Sequence, residues 1–258
     1  MAEEVTFRVF RGSSVVWKSD SFGDPIGQMV DYTVEMDEGM VVLDVIHRIQ
    51  SEHAPDLACR WNCKAGKCGS CSMEINGQPK LSCMTRMNEF SENEVITIQP
   101  MQSFPIIKDL VTDVSWNYKQ NQMIAPFKPG EKKNGKDYVM HQQDVERIQE
   151  FRKCIECYLC QDICHVLRDQ NKKEKFVGPR FMIRLASLEM HPLDKGDRIP
   201  EIKNKFGSGM CNITRCCTDV CPEGIQITDN GIIPLKERVV DRFYDPIMWL
   251  YAKIFRTD

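Results

Sequence analysis

Thirteen cysteines are the residues of this 258-residue chain whose types and spacing point to chemistry. Cys63, Cys68, Cys71 and Cys83 stand in the run CKAGKCGSCSMEINGQPKLSC. Gaps of four, two and eleven residues fit a loop wrapped around a 2Fe-2S cluster. Gly66 and Gly69 let such a loop turn sharply and bring N–H groups close to the sulfides. Hydrogen bonds of that kind raise the reduction potential by stabilising the more negative reduced state. Cys83 ends a hairpin that reverses at Asn76-Gly77, which returns it to the loop. A zinc ion held by the same four thiolates is the competing reading. Structural zinc ordinarily brings two C-x2-C knuckles, whereas this loop has a four-residue gap with a glycine close to Cys68 on each side. Cys59 reads as a buried or spare thiol.

A second run, CIECYLCQDIC, supplies Cys154, Cys157, Cys160 and Cys164. In two-cluster ferredoxins the first three cysteines of such a run hold one cubane and the fourth crosses to the other cluster. A partner run is therefore expected, and CNITRCCTDVCP provides Cys211, Cys217 and Cys221 with Thr214 where the second cysteine would stand. The crossover rule groups Cys154, Cys157, Cys160 and Cys221 around a 4Fe-4S cluster. It leaves Cys164, Cys211 and Cys217 for a cluster short of one ligand, most simply 3Fe-4S. Coordination by Cys216, or by the Thr214 hydroxyl, stays open as the alternative.

The elements that must position these ligands fall into two textures. Val5 to Phe10, a turn at Gly12-Ser13 and Val15 to Lys18 read as a hairpin, and Tyr32 to Met36 as a further strand. Val41, Val42, Val45, Ile46 and Ile49 make one face of a helix over Val41 to Gln50. Met73 to Leu81 reads as a hairpin and Val95 to Gln99 as a strand, so the set suggests a β-grasp-like sheet. Past Pro100, Ile106, Ile107, Leu110, Val111 and Val114 have helical spacing. Tyr118 to Asp137 reads as a linker, and Gln142 to Leu167, Val177 to Leu188 and Leu235 to Phe243 as helices. The fold class is two-domain α+β: a plant-type 2Fe-2S ferredoxin domain over residues 1–104 and a mostly α-helical dicluster ferredoxin domain over 105–258.

Composition narrows the setting. A net charge of -3 gives no basic footprint for nucleic acid. Met1 to Phe10 has no basic and then apolar pattern of an export signal, so the chain is expected to stay where it is made. Disulfides are not expected in a reducing compartment, which leaves metal ligation for the thiols. The apolar stretch Ile247 to Phe255 falls well short of the roughly 20 residues that cross a bilayer. The methionines show no ligand spacing and read as core filling.

Taken together, the N-terminal hairpin, CKAGKCGSC, PIIKDLV, CIECYLCQDIC and CTDVCPEGI resemble the iron-sulfur subunit of succinate dehydrogenase and fumarate reductase. The resemblance implies a relay of electrons between the FAD of a flavoprotein subunit, where succinate and fumarate interconvert, and quinone at a membrane-anchor subunit. It also implies a peripheral position on the cytoplasmic face of a bacterial plasma membrane. The 2Fe-2S cluster would face the flavin and the 3Fe-4S cluster the quinone. His165 and Asn212 depart from ubiquinone-linked members, so their quinone pocket does not carry over; FVGPRFMIR and DPIMWLYAKIF look closer to the menaquinone-linked branch. Arg60 and Trp61 read as docking residues toward the flavoprotein, with an ordinary interface or core role for Trp61 as the alternative. His165 reads chiefly as a surface or packing residue, with a hydrogen bond to a cluster sulfur or a place near the quinone as the alternative. Trp249, Tyr251, Ile254 and Phe255 suit an amphipathic foot, or a helix packed on its own domain.

Overall fold

The computed structural model describes residues 3–13, 26–91, 94–132, 135 and 137–247. Its packing forms two compact units, residues 1–117 with 155–163, and residues 118–154 with 164–258.

The first unit is built on a five-stranded sheet in the order β2-β1-β5-β3-β4, from β1 (Glu3–Ser13), β2 (Ile26–Met36), β3 (Ser72–Ile75), β4 (Gln78–Leu81) and β5 (Ile96–Gln99). Strands β1 and β5 are parallel, and the other neighbours antiparallel. Helix α1 (Val42–Glu52) lays the expected apolar stripe on the sheet, where Val42, Val45, Ile46 and Ile49 pack among Phe7, Val9, Val34, Met73, Ile75, Ile96 and Ile98. The reversal at Asn76-Gly77 is as expected, with φ of 50° and 73° at the two residues, the geometry that glycine tolerates and asparagine accepts.

Two sequence expectations fail here for clear reasons. Gly12-Ser13 is not a turn, because β1 runs through it and Gly12 faces Gly27 across the β1–β2 ladder. A Cβ on Gly12 would lie 2.4 Å from the Ile26 carbonyl oxygen, so the glycine serves close strand approach. Val15 to Lys18 lies outside the described residues. The segment from Ile106 is not helical either: β6 (Ile106–Lys108) and β7 (Val111–Thr112) form a small hairpin. Asp109 holds its turn with φ +48°, and its buried carboxylate accepts hydrogen bonds from Gly12 N (3.0 Å), Ala58 N (2.9 Å) and Arg11 Nε (3.1 Å). That keystone outweighs the apolar spacing.

Nine α-helices are found among the described residues. After α2 (Ser115–Gln122) come α3 (Gln142–Gln149), α4 (Leu159–Asp162), α5 (His165–Arg168), α6 (Pro179–Glu189), α7 (Ile199–Asn204), α8 (Cys216–Asp219) and α9 (Ile233–Phe243). The continuous helix expected over Gln142 to Leu167 is broken at Cys154 to Tyr158, where Glu156 and Tyr158 take left-handed φ values. In the second unit α6 is buried nearly all round, and its Phe181, Met182, Ile183 and Leu185 share the interior with Phe151, Phe176, Ile202, Phe206, Ile232 and Leu235. The segment expected as a linker is partly helical in α2 and then held at Ala125 to Gly130. Arg198 donates to the carbonyls of Ala125 (2.8 Å) and Pro126 (2.9 Å) while paired with buried Asp194 at 2.6 Å. Lys195 N–H donates to the Lys128 carbonyl.

Candidate iron-sulfur sites

The first thiol group is assembled by α1 and the β3–β4 hairpin. The β3–β4 register puts Ser72 opposite Leu81, and Ser82 donates to the Cys71 carbonyl through its N–H (3.1 Å) and its hydroxyl (3.2 Å). At the start of α1, the N–H groups of Val42 and Leu43 are taken by the carbonyls of Thr85 and Ser82, so the segment carrying Cys83 caps the helix. The hairpin and the helix thus fix Cys71 and Cys83 from two sides.

The loop supplies the other two thiols. Ala65 and Lys67 N–H point at Cys63 Sγ, at 3.4 and 3.3 Å. Burial pushes the Cys68 thiol up, but hydrogen bonds from the Ser70 side chain and from groups of Cys63 and Ser70 outweigh it and bring it down to about 7. Burial and contact with the Cys71 thiol push Cys83 up to about 11, against a hydrogen bond from the Gly66 main chain. The structure therefore brings Cys63, Cys68, Cys71 and Cys83 together, with donors already aimed at the sulfurs. Burial first, then the nearby Cys71 thiol, take the Cys59 thiol up to about 12, and Cys59 packs on the sheet core.

Above this loop lies a layer that sequence reading reached only in part. Trp61 is half exposed, which removes the core alternative for it. The His47 ring meets it edge-on at 4.7 Å, and the Lys64 ammonium sits 4.9 Å from its centroid. His47 has its pKa lowered by burial and by Lys64, and its Nε2 is buried with no hydrogen-bond partner. The polar break that His47 makes beside the apolar stripe of α1 was the available signal.

The two later cysteine runs have the same local backbone. Glu156 and Tyr158 flank Cys157 with φ of 57° and 63°; Ile213 and Arg215 flank Thr214 with 62° and 68°. A short helix starts one residue further on in each, α4 at Leu159 and α8 at Cys216. Thr214 is thereby the structural counterpart of Cys157, and Cys216 that of buried Leu159. In the first unit Cys157 precedes a buried stretch in which Ser103 N–H donates to Asp162 Oδ1 (2.8 Å) and Gln161 to Asn117 (3.3 Å). Cys160 is buried there too, whereas Cys154 and Cys221 belong to the second unit.

In the second unit Cys164 lies within electrostatic reach of Cys216 and Cys217, and Cys217 within reach of Cys211. Burial first, then these neighbours, push Cys164 to about 12 and Cys217 to about 11, against hydrogen bonds from Leu167 and Val166 N–H and from Thr228. Crowded thiols of raised pKa are a donor set that a cation completes, because a coordinated thiol loses its proton. The buried, unpartnered His165 Nε2 beside Cys164 fits a group that fills this space. Thr214 Oγ1 lies 3.3 Å from Cys216 Sγ. Among the described residues no three Cys, His, Asp or Glu side chains converge on a point that suits a single ion.

Residues 13–119 match the family described as a 2Fe-2S iron-sulfur cluster binding domain, and residues 150–225 that of a 4Fe-4S dicluster domain. A solved chain of the Mycobacterium smegmatis Sdh1 complex in the apo form is 56% identical, with a TM-score of 0.89 over 96% of this chain and 100% of that one. The succinate dehydrogenase iron-sulfur subunit of Paracoccus denitrificans is 28% identical over 92% of this chain and 88% of its own length. An uncharacterized iron-sulfur protein of Methanococcus maripaludis is 31% identical over 82% of this chain, which spans 42% of that longer protein. With two cluster-binding domains in this order and a near-complete structural match, the chain belongs to the iron-sulfur subunits of succinate dehydrogenase.

Proposed function

We propose that this subunit relays electrons between the FAD of a flavoprotein subunit, which interconverts succinate and fumarate, and a quinone held at a membrane-anchor subunit. Cys63, Cys68, Cys71 and Cys83 of the 1–104 domain hold a 2Fe-2S cluster. In the 105–258 domain, Cys154, Cys157, Cys160 and Cys221 hold a 4Fe-4S cluster and Cys164, Cys211 and Cys217 a 3Fe-4S cluster. The observation that carries the reading is the repeated backbone of the two later runs, with a threonine in the place of the second ligand of the last. Bound clusters supply one-electron redox steps. The chain's part is to hold the sulfurs and tune them: N–H groups of Ala65, Lys67, Val166 and Leu167 and the hydroxyls of Ser70 and Thr228 donate to thiolates, favouring the reduced states.

Arg60, Trp61 and Lys64, exposed around the first loop, form the docking surface for the flavoprotein. Among the described residues no helix is long and apolar enough to cross a membrane. The subunit is peripheral on the cytoplasmic face of the bacterial plasma membrane, and exposed Val240, Phe243, Tyr244 and Ile247 support an apolar face toward the anchor. The foot residues from Trp249 onward lie outside the described residues. The quinone is menaquinone, by the likeness of FVGPRFMIR and DPIMWLYAKIF to that branch. EPR of the complex, oxidised and then reduced in steps, tests the ligand sets: a 3Fe-4S signal is expected when oxidised, then 2Fe-2S and 4Fe-4S signals on reduction. Two complete cubanes, as in the iron-sulfur subunits of other dehydrogenases, would replace the 3Fe-4S signal and overturn the reading.

A further inference from the structure

The 2Fe-2S loop and the Cys157 loop meet, within one compact unit, at a glycine. A Cβ built on Gly69 would lie 2.6 Å from Cys157 Cα and 2.9 Å from both its N and its Cβ. Carbon atoms in ordinary contact stay about 3.5–4.0 Å apart, so the backbone of Gly69 already rests on the backbone of Cys157. Gly69 follows Cys68 directly and stands two residues before Cys71. The contact therefore joins the loop of one ligand set to a ligand of the next.

Both sides of the contact are held rigidly. Ser72 Oγ donates to the Gly69 carbonyl at 2.9 Å, and Gly69 has φ +69°. On the other side Cys157 lies between the left-handed residues Glu156 and Tyr158. The chain just beyond is pinned by the Ser103 N–H and hydroxyl on Asp162, and by the Tyr158 ring set edge-on to Phe104 at 6.3 Å. Neither loop has slack to absorb a methyl group.

Resting on the ligand sets proposed above, we infer that the Gly69–Cys157 backbone contact is the electron route between the first two clusters, and that the missing side chain at Gly69 sets its length. One electron crosses: the 2Fe-2S cluster is oxidised by one and the 4Fe-4S cluster reduced by one when succinate supplies electrons, with no bond made or broken and no proton moved. Any Cβ at position 69 pushes the loops apart and weakens the coupling.

Gly39 provides the matched control. It has φ +82°, so alanine there meets comparable backbone strain, but its Cβ would meet nothing within 4 Å. In the full complex, reduction of the 4Fe-4S cluster is expected to broaden the 2Fe-2S EPR signal and speed its relaxation. Gly69→Ala loses much of that broadening and slows filling of the 4Fe-4S cluster in freeze-quenched samples, whereas Gly39→Ala retains both. Gly69→Asn adds the same Cβ on a residue that tolerates left-handed φ, and serves where the alanine variant fails to assemble its cluster. Equal broadening in the unsubstituted and Gly69 variants overturns the inference, as does a complex without 2Fe-2S broadening before any substitution. Failure of the ligand assignment is distinguishable, because the individual cluster signals would then be missing from the unsubstituted complex.

Discussion

At position 214 a hydroxyl stands where the matching run places a thiol, and it lies 3.3 Å from the Cys216 sulfur. Thr214→Cys is expected to complete the third site, abolish the 3Fe-4S signal of the oxidised complex and lower that cluster's potential within the roughly -700 to +450 mV open to such clusters. An unchanged spectrum would place the open corner elsewhere. Cys216 occupies the helix position of Leu159, so Cys216→Ala should leave the 3Fe-4S signal intact; its loss would make Cys216 a ligand. Asp194 makes a different single-residue test. Burial works against its charge, yet bonds from Arg198, Gly196 N–H and Lys128 N–H hold its pKa below the ordinary carboxylate value. A depressed folded pKa gives stability that is present above the unfolded value of about 3.9 and is lost as pH falls through the folded one. Asp194→Asn should therefore lower stability at neutral pH and flatten its fall below about pH 4, as read by urea unfolding across pH.

Helices and strands here do two jobs, making the core and presenting the sulfurs. Ile46 is fully buried between α1 and the sheet, and α1 is capped by the Ser82 to Thr85 segment that carries Cys83. Ile46→Ala is expected to cost about 2–5 kcal/mol in denaturant unfolding and to loosen the first cluster, seen as faster bleaching of its visible absorbance. Wild-type bleaching kinetics in that variant would uncouple α1 from the site. The β6–β7 hairpin hangs on Asp109, whose loss leaves Arg11 short of a buried partner. Asp109→Ala should cost about 3 kcal/mol, measured by the same unfolding titration. The elements misread from sequence are instructive for the same reason. Gly12 looked like a turn because glycine is permissive, but its use is contact with Gly27; residues 106–114 looked helical because apolar spacing ignores a carboxylate that gathers three donors.

Across the whole molecule, catalysis belongs to the assembly. The chain on its own is expected to give cluster EPR signals with dithionite yet oxidise no succinate, while addition of the flavoprotein restores reduction of the clusters by succinate. Succinate-dependent reduction by the isolated chain would require a dicarboxylate site of its own.

The candidate ligands came from spacing alone, because a cluster demands thiolates at loop intervals that few other folds use. The amphipathic helix α1 and the Asn76-Gly77 hairpin were legible too, each being a local pattern with a local cause. What only the tertiary structure decided is which surfaces meet. Residues 155–163 pack with the N-terminal unit because Ser103 and Asn117, far away in sequence, take up Asp162 and Gln161. Gly69, which reads in sequence as a turn residue, lies against Cys157 because two distant loops close on each other, and contacts across such separations leave no period in the sequence.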